Sequence, residues 1–191
     1  MSRDRADIPG LRTIGGALVT LNEYQTRAAR TIACTNSADM RMHALLGLAS
    51  ETGELMDALY LSEPLNDEQA KREMGDIMWM VAEYCTANGW FLAEVIKKPD
   101  PVEYDEFEFA ELCKAVGMLT GYYQKIYQGH LVDSDKAQKA VRGIYKALYT
   151  MTRFYDTSID EILQMNIDKL LKRYPDGFDN TRSLHRSGGD L

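Results

Sequence analysis

Two short acidic motifs hold the residues of this chain best suited to chemistry, Glu51-Thr-Gly-Glu54 and Glu73-Met-Gly-Asp76. In each, two carboxylates lie three residues apart, so on a helix they share one side. Eighteen residues separate Glu54 from Glu73, room for one helix to end, turn and return antiparallel. Four carboxylates from two facing helices then converge on one small volume. Such a cluster is unfavourable unless hard cations occupy it, and Mg²⁺ takes oxygen-rich surroundings of this kind. A single acid pair at this spacing is usually solvated surface. Two pairs on consecutive helices, in the same relation to each core face, favour a site. A glycine also stands inside each motif (Gly53, Gly75), at about 1 kcal/mol relative to alanine in a helix interior. That cost, met twice beside acids, points to close approach at the backbone.

Absent residue types narrow the chemistry. None of His43, His130 and His185 lies three residues after a glutamate, which argues against the Glu-x-x-His pairs of di-iron bundles. No local cluster of cysteine or histidine offers a zinc site. All-oxygen ligation leaves Mg²⁺ or Mn²⁺. Mg²⁺ is commonly held by a few carboxylates together with substrate phosphates, so a polyphosphate is the expected partner. No GxxxxGK[ST] loop occurs, which removes the P-loop route.

The elements that must position these acids read as helices throughout. Leu18, Leu21, Tyr24, Gln25, Ala28, Ala29 and Ile32 recur at helical steps. Thr35 to Asp39 reads as a loop. A second helix is expected over about 40–61, with Leu45, Leu48, Ala49, Leu55, Met56 and Leu59 facing the core. Gly47, Glu51, Glu54 and Ala58 make a separate stripe about 130° around it. Asn66 and Gln69 resemble a capping pair before a third helix over about 67–88. There Met74, Met78, Val81, Ala82 and Cys85 face the core, while Glu73, Asp76, Ile77, Met80 and Tyr84 form a face that begins acidic and becomes apolar. That gradient suits a phosphorylated ligand carrying a flat ring. A short amphipathic piece over 90–97, a Pro99-Asp-Pro101 break, helices over about 109–128 and 134–155, and a last helix opened by the Ser158-Ile-Asp-Glu161 capping box complete the domain. Residues 1–17 read as a flexible arm and 179–191 as a mobile tail, leaving 18–178 as one all-α domain.

A faint echo links the two halves: Gly47-Leu-Ala-Ser with Gly117-Met-Leu-Thr, and Asn88 to Val95 with Asp156 to Leu163. Gly121 and Gln124 stand where Glu51 and Glu54 do in the first half. A duplicated helical unit with one half stripped of its acids accounts for this, and 99–133 then reads as an insertion or a degenerate repeat.

Leu46-Gly-Leu-Ala-Ser-Glu51-Thr-Gly-Glu54-Leu followed by Glu73-Met-Gly-Asp76-Ile-Met-Trp79 resembles the ExxE, gap, ExxD signature of the all-α nucleoside triphosphate pyrophosphohydrolases, the MazG-like group. The run from Asn166 through Lys169 and Arg173 to Phe178 resembles that group's closing helix, and Asn22-Glu-Tyr-Gln25 its first helix, as in phage and bacterial members. The resemblance covers about 18–97 and 134–178, and 100–133 departs from the compact form.

The resemblance implies an antiparallel helix bundle, often built from two or four chains. It implies Mg²⁺-dependent hydrolysis of an NTP or dNTP to the monophosphate and pyrophosphate. Glu51, Glu54, Glu73 and Asp76 would hold the metal. Glu54 or Glu51 would deprotonate the attacking water, and Lys169 and Arg173 would bind phosphates, with Asn166 on the same stripe contacting sugar or phosphate. Gln25, Trp79 and Met80, with Tyr24 and Tyr84, are candidates for the base, although aromatic and Met residues at helical spacing are more often core. His43, one turn before Gly47, either reaches the site or ends a loop. Two alternatives stay open: a non-catalytic helical interaction protein or pseudoenzyme, and a narrow dUTP or dCTP diphosphatase.

Bulk properties are compatible with this reading. At 191 residues, with 45% apolar and 27% charged, the chain can bury a core and is neither disordered nor membrane-embedded. No apolar run reaches the roughly 18–20 residues of a membrane span, and the N-terminal segment lacks the apolar centre of a secretory signal. Cys34, Cys85 and Cys113 are unpaired in spacing and read as reduced, buried thiols of a cytoplasmic protein. A net charge of −7 argues against a nucleic-acid polymer as ligand but not against a nucleotide bound through metal ions.

Overall fold

The computed structural model describes residues 19–97 and 107–179, and the described residues form helices with no strand. They are α1 (Leu21–Ala29), α2 (Ser37–Met56), α3 (Asp67–Ala87), α4 (Leu92–Val95), α5 (Glu108–Tyr127), α6 (Ser134–Met151) and α7 (Ile159–Arg173). A π-helical turn, Asp57–Leu61, continues α2, and a 3₁₀ turn, Thr152–Tyr155, continues α6. The all-α expectation holds. Among the described residues, no helix is long and apolar enough to cross a membrane. The expected arm over 1–17, the Pro99–Pro101 break and the tail beyond 179 lie outside the described residues.

Local chemistry sets the helix ends. Thr20 and Glu23 cap α1 reciprocally, so it begins at Leu21 rather than Leu18, and it closes at Ala29, short of Ile32. Asn36 accepts hydrogen bonds from the amides of Ala38 and Asp39 at 3.0 and 2.9 Å. The segment expected as a loop to Asp39 is therefore already helical from Ser37, because an asparagine N-cap satisfies the first free amides. Asn66 caps α3 through the Gln69 amide at 3.0 Å, but the Gln69 side chain reaches forward to Glu73 instead of back to the cap. The Ser158–Glu161 capping box is present at the start of α7.

The helix α3 lies at the centre, with Met74, Ile77, Met78, Val81, Tyr84 and Cys85 all fully buried. It pairs most extensively with α2, and α5 pairs comparably with α6, so the chain contains two helical hairpins, each followed by a shorter helix. Helices α1 and α7 pack on α3 and on each other. The core face of α2 is Ala44, Leu45, Leu48, Thr52 and Leu55, continued by Ala58 of the π turn, which packs in the core rather than on the acidic stripe. Ala49 and Met56, expected in that face, are exposed. Leu48, Leu55 and Ala58 bury at steps of seven and three, which turns residues 49 and 56 outward.

Candidate functional site

Helices α2, α3 and α7 enclose a cavity of about 820 Å³. Glu51 and Glu54 enter it from α2, and Gln69, Glu73, Asp76 and Met80 from one stripe of α3. Asn166, Lys169 and Arg173 enter at i, i+3 and i+7 of α7. Trp79 and His43 line one wall, and Tyr174 and Phe178 come from the segment after α7. That segment is drawn back across the end of α1, where the Arg30 side chain donates to the Pro175 carbonyl (2.9 Å) and the Phe178 amide donates to the Arg30 carbonyl (3.3 Å).

The carboxylates divide into two groups. Oxygens of Glu51, Glu54 and Glu73 lie within 4.8 Å of one another. Glu73 is buried, Glu51 half-buried and Glu54 exposed. Burial raises Glu51 from an ordinary carboxyl value to about 8, with the charges of Asp76, Glu54 and Glu73 adding to the rise. Burial also raises Glu73, opposed by its hydrogen bond with Glu51. Both shifts favour one proton held between the pair, since two adjacent desolvated carboxylates cannot both ionise cheaply. Gln69 Nε2 donates to Glu73 Oε1, and the Ser50 hydroxyl donates to Glu54 at 3.1 Å.

Asp76 stands in a different setting. Lys169 Nζ ion-pairs with its Oδ2, and Asn166 Nδ2 donates to its Oδ1 at 2.8 Å. Asn166 is in turn held by the Tyr24 hydroxyl, which donates to its Oδ1 at 2.9 Å and lies 3.4 Å from the Gly75 carbonyl. The phenol is fully buried, and burial together with the Asp76 charge holds its pKa well above the ordinary value. Tyr24 thus serves as a fixed donor that orients Asn166. Close approach of α7 to α3 makes this chain possible: a Cβ on Gly75 would sit 3.0 Å from Asn166 Cβ and 3.2 Å from its Nδ2. Gly53 differs, because a Cβ there would meet nothing within 4 Å among the described residues. Close approach within the chain therefore explains Gly75 but not Gly53.

The other sequence candidates separate in the same way. Trp79 lines the cavity, its indole N–H donating to Thr31 Oγ1 at 2.9 Å and its ring meeting His43 edge to face at 5.9 Å. Met80 is mostly buried and reaches the cavity wall. Tyr84 and Ile77 lie wholly in the core. Gln25 is not on the cavity: it donates to Thr86 Oγ1 (3.1 Å) and the Trp90 carbonyl (2.8 Å), and accepts from the Leu92 amide (2.8 Å). Its amide pins α1 to the turn after α3, which accounts for its burial. Arg72 and Lys172 also line the cavity and were missed because nothing in their spacing marks them. Gln69 was legible, being four residues before Glu73 on the same stripe.

The cavity is lined by the acidic cluster, by the α7 donors and cations, and by the rings of His43, Trp79, Tyr174 and Phe178. Oxygen donors this close fit a hard divalent cation in place of the shared proton, while Lys169 and Arg173 fit anionic oxygens. No protein-family profile, curated protein or solved structure matches the chain.

Proposed function

We propose that the chain is a divalent-cation-dependent nucleoside triphosphate pyrophosphohydrolase, releasing NMP or dNMP and pyrophosphate. The observation that carries the reading is the convergence of Glu51, Glu54 and Glu73 in one cavity facing Lys169 and Arg173. Glu51, Glu54 and Glu73 would hold Mg²⁺ or Mn²⁺, with Asp76 joining when a phosphate draws Lys169 away. The bound ion would supply neutralisation of phosphate charge. The residues of the chain do the rest. Lys169 and Arg173 bind the triphosphate, and Asn166, fixed by Tyr24, keeps Asp76 in register. A glutamate of the first motif, Glu54 or Glu51, takes the proton of the attacking water. The new bond joins that water oxygen to the α-phosphorus, the α–β bridging bond breaks, and pyrophosphate leaves with the electron pair. Trp79 and Met80 offer an apolar surface to the base.

The same reading proposes a homo-oligomer and a cytoplasmic setting, with no nucleic-acid polymer as partner. An exposed row on α2, Met42, Leu46, Ala49, Gly53 and Met56, repeats at alternating steps of four and three. That is a helix-pairing seam, and in it the unexplained Gly53 would allow a second chain to come close. The two helical hairpins are compatible with a duplicated unit. The described cysteines are unpaired, but only Cys85 is buried; Cys34 is half-buried and Cys113 exposed, so the expected burial fails for these two.

Incubating purified chain with a panel of NTPs and dNTPs plus Mg²⁺, scoring pyrophosphate against orthophosphate, tests the activity. The expected result is pyrophosphate from at least one nucleotide, abolished in Glu73→Ala. Turnover of none overturns the enzyme reading in favour of a non-catalytic role. Orthophosphate as product overturns attack at the α-phosphorus. Full activity in Glu73→Ala overturns the site.

A further inference from the structure

A second cluster of ligating side chains shares only His43 with the lining of the acidic cavity. Cys34 in the connection between α1 and α2, His43 on α2 and Glu83 on α3 each bring a ligand atom within 4.8 Å of the others. The sequence concealed it, because positions 34, 43 and 83 show no zinc-like spacing. Glu83 brings a carboxyl group into the core, its side chain 1% exposed. His43 Nδ1 meets its Oε2 at 2.7 Å, while its Oε1 is buried with no hydrogen-bond partner among the described residues. A buried carboxyl oxygen without a hydrogen-bond partner is costly, so the site is incomplete in partners. The His43 side chain is 46% exposed, which leaves a path for an ion from solvent.

We propose that Cys34, His43 and Glu83 form a zinc site that fastens the α1–α2 connection to α2 and α3. One thiolate sulfur, one imidazole nitrogen and one carboxylate oxygen suit Zn²⁺, which takes such mixed sets with water in a fourth, open position. Bonds of about 2.0–2.3 Å put ligand atoms about 3.5 Å apart, so an ion would part His43 Nδ1 from Glu83 Oε2, now 2.7 Å apart, and sit between them and the sulfur, all within 4.8 Å of one another. The alternative use of a Cys–His pair, as an activated nucleophile, is opposed by the surroundings. Burial, then the charges of Glu83 and Asp39, raise the Cys34 thiol above its ordinary value, whereas nucleophilic cysteines sit in electropositive sites. A bound cation inverts that local charge and makes the thiolate the stable form. The softer donor set also separates this site from the all-oxygen cluster at Glu51, Glu54 and Glu73. The zinc site does not depend on the proposed hydrolase activity.

The test uses the full chain, stripped with chelator and titrated with Co²⁺, then with Zn²⁺ as competitor. The expected result is one tetrahedral Co²⁺ per chain with a near-ultraviolet thiolate-to-cobalt band, displaced stoichiometrically by Zn²⁺. Cys34→Ala, at a half-buried position outside the helices, should stay folded by circular dichroism and lose the band. His43→Ala should weaken Zn²⁺ binding by at least on the order of a hundredfold, the upper range for loss of even an outer partner. Cys113→Ser and Glu51→Gln should retain the band. Absence of a thiolate band in the native chain overturns the site, as does the same band in Cys34→Ala. Unchanged Zn²⁺ affinity in the Cys34 and His43 variants overturns it independently.

Discussion

The shared proton between Glu51 and Glu73 makes the cation-free protein lose stability as pH rises, and Glu51→Gln should lessen that loss, leaving the part due to burial of Glu73. In the unfolded chain the Glu51 carboxyl gives up its proton near its ordinary value of 4.5, whereas burial keeps the proton to about 8 in the fold. The folded state thus binds more protons than the unfolded state throughout that window, so stability is complete below about 4.5 and falls until about 8. At about 1.4 kcal/mol per pH unit, a fully desolvated group would lose ~5 kcal/mol. Glu51 is only half-buried, and solvent screening reduces this to roughly 2 kcal/mol. For a domain of this size that is about 4–8 °C in Tm. A carboxamide at 51 imitates the protonated acid and does not titrate. The assay is thermal unfolding in chelator at pH 5.0 and 8.5 for both proteins. His43, whose hydrogen bond with Glu83 raises its pKa, contributes stability that is also lost at high pH, but equally in both proteins, so it cancels in the difference. A pH slope in Glu51→Gln as steep as that of the native chain would refute the shared proton.

Four further outcomes follow from named contacts. Mg²⁺ or Mn²⁺ should raise Tm more at pH 8.5 than at pH 5.0, because the ion must displace the proton on Glu51; equal shifts at both pH values would count against ligation there. Gly75→Ala should destabilise by about 1 kcal/mol net, overpacking against Asn166 outweighing the gain in helix propensity, and should lower pyrophosphohydrolase activity by about tenfold or more. Tyr24→Phe should cost about 1–3 kcal/mol by leaving a buried Asn166 oxygen without its donor, read by urea denaturation; an unchanged midpoint would sink the proposed orienting role. Leu46→Glu on the exposed α2 row should convert the proposed oligomer to monomers by light scattering, with the helical circular dichroism signal retained.

How much could be read from residues alone differs by element. Helix identity was legible wherever periodic apolar residues met a cap, as at Ser158-x-x-Glu161, because both signals are local. The boundary at Ser37 was misplaced because Asn36 reads equally well as loop or cap until the backbone is seen. The outward turn of Ala49 and Met56 was also hidden, since several apolar stripes compete on α2 and packing against α3 selects one. Both acidic motifs could be assigned to one cavity from spacing. Their division into a proton-sharing trio and a separately held Asp76 could not, because it depends on how closely α7 lies over Gly75.

Taken alone, the sequence determined an all-helical chain, two acid pairs at helical spacing, and a terminal helix carrying Asn166, Lys169 and Arg173 on one face. These depend only on helical periodicity and residue type. Tertiary structure alone decided which side chains meet. It sent Gln25 to a structural turn, buried Tyr24 beneath Asn166, occupied Asp76 with Lys169, and gathered Cys34, His43 and Glu83 from three distant positions. Desolvation and distance, the quantities that decide protonation and ligation, exist only once the helices have packed.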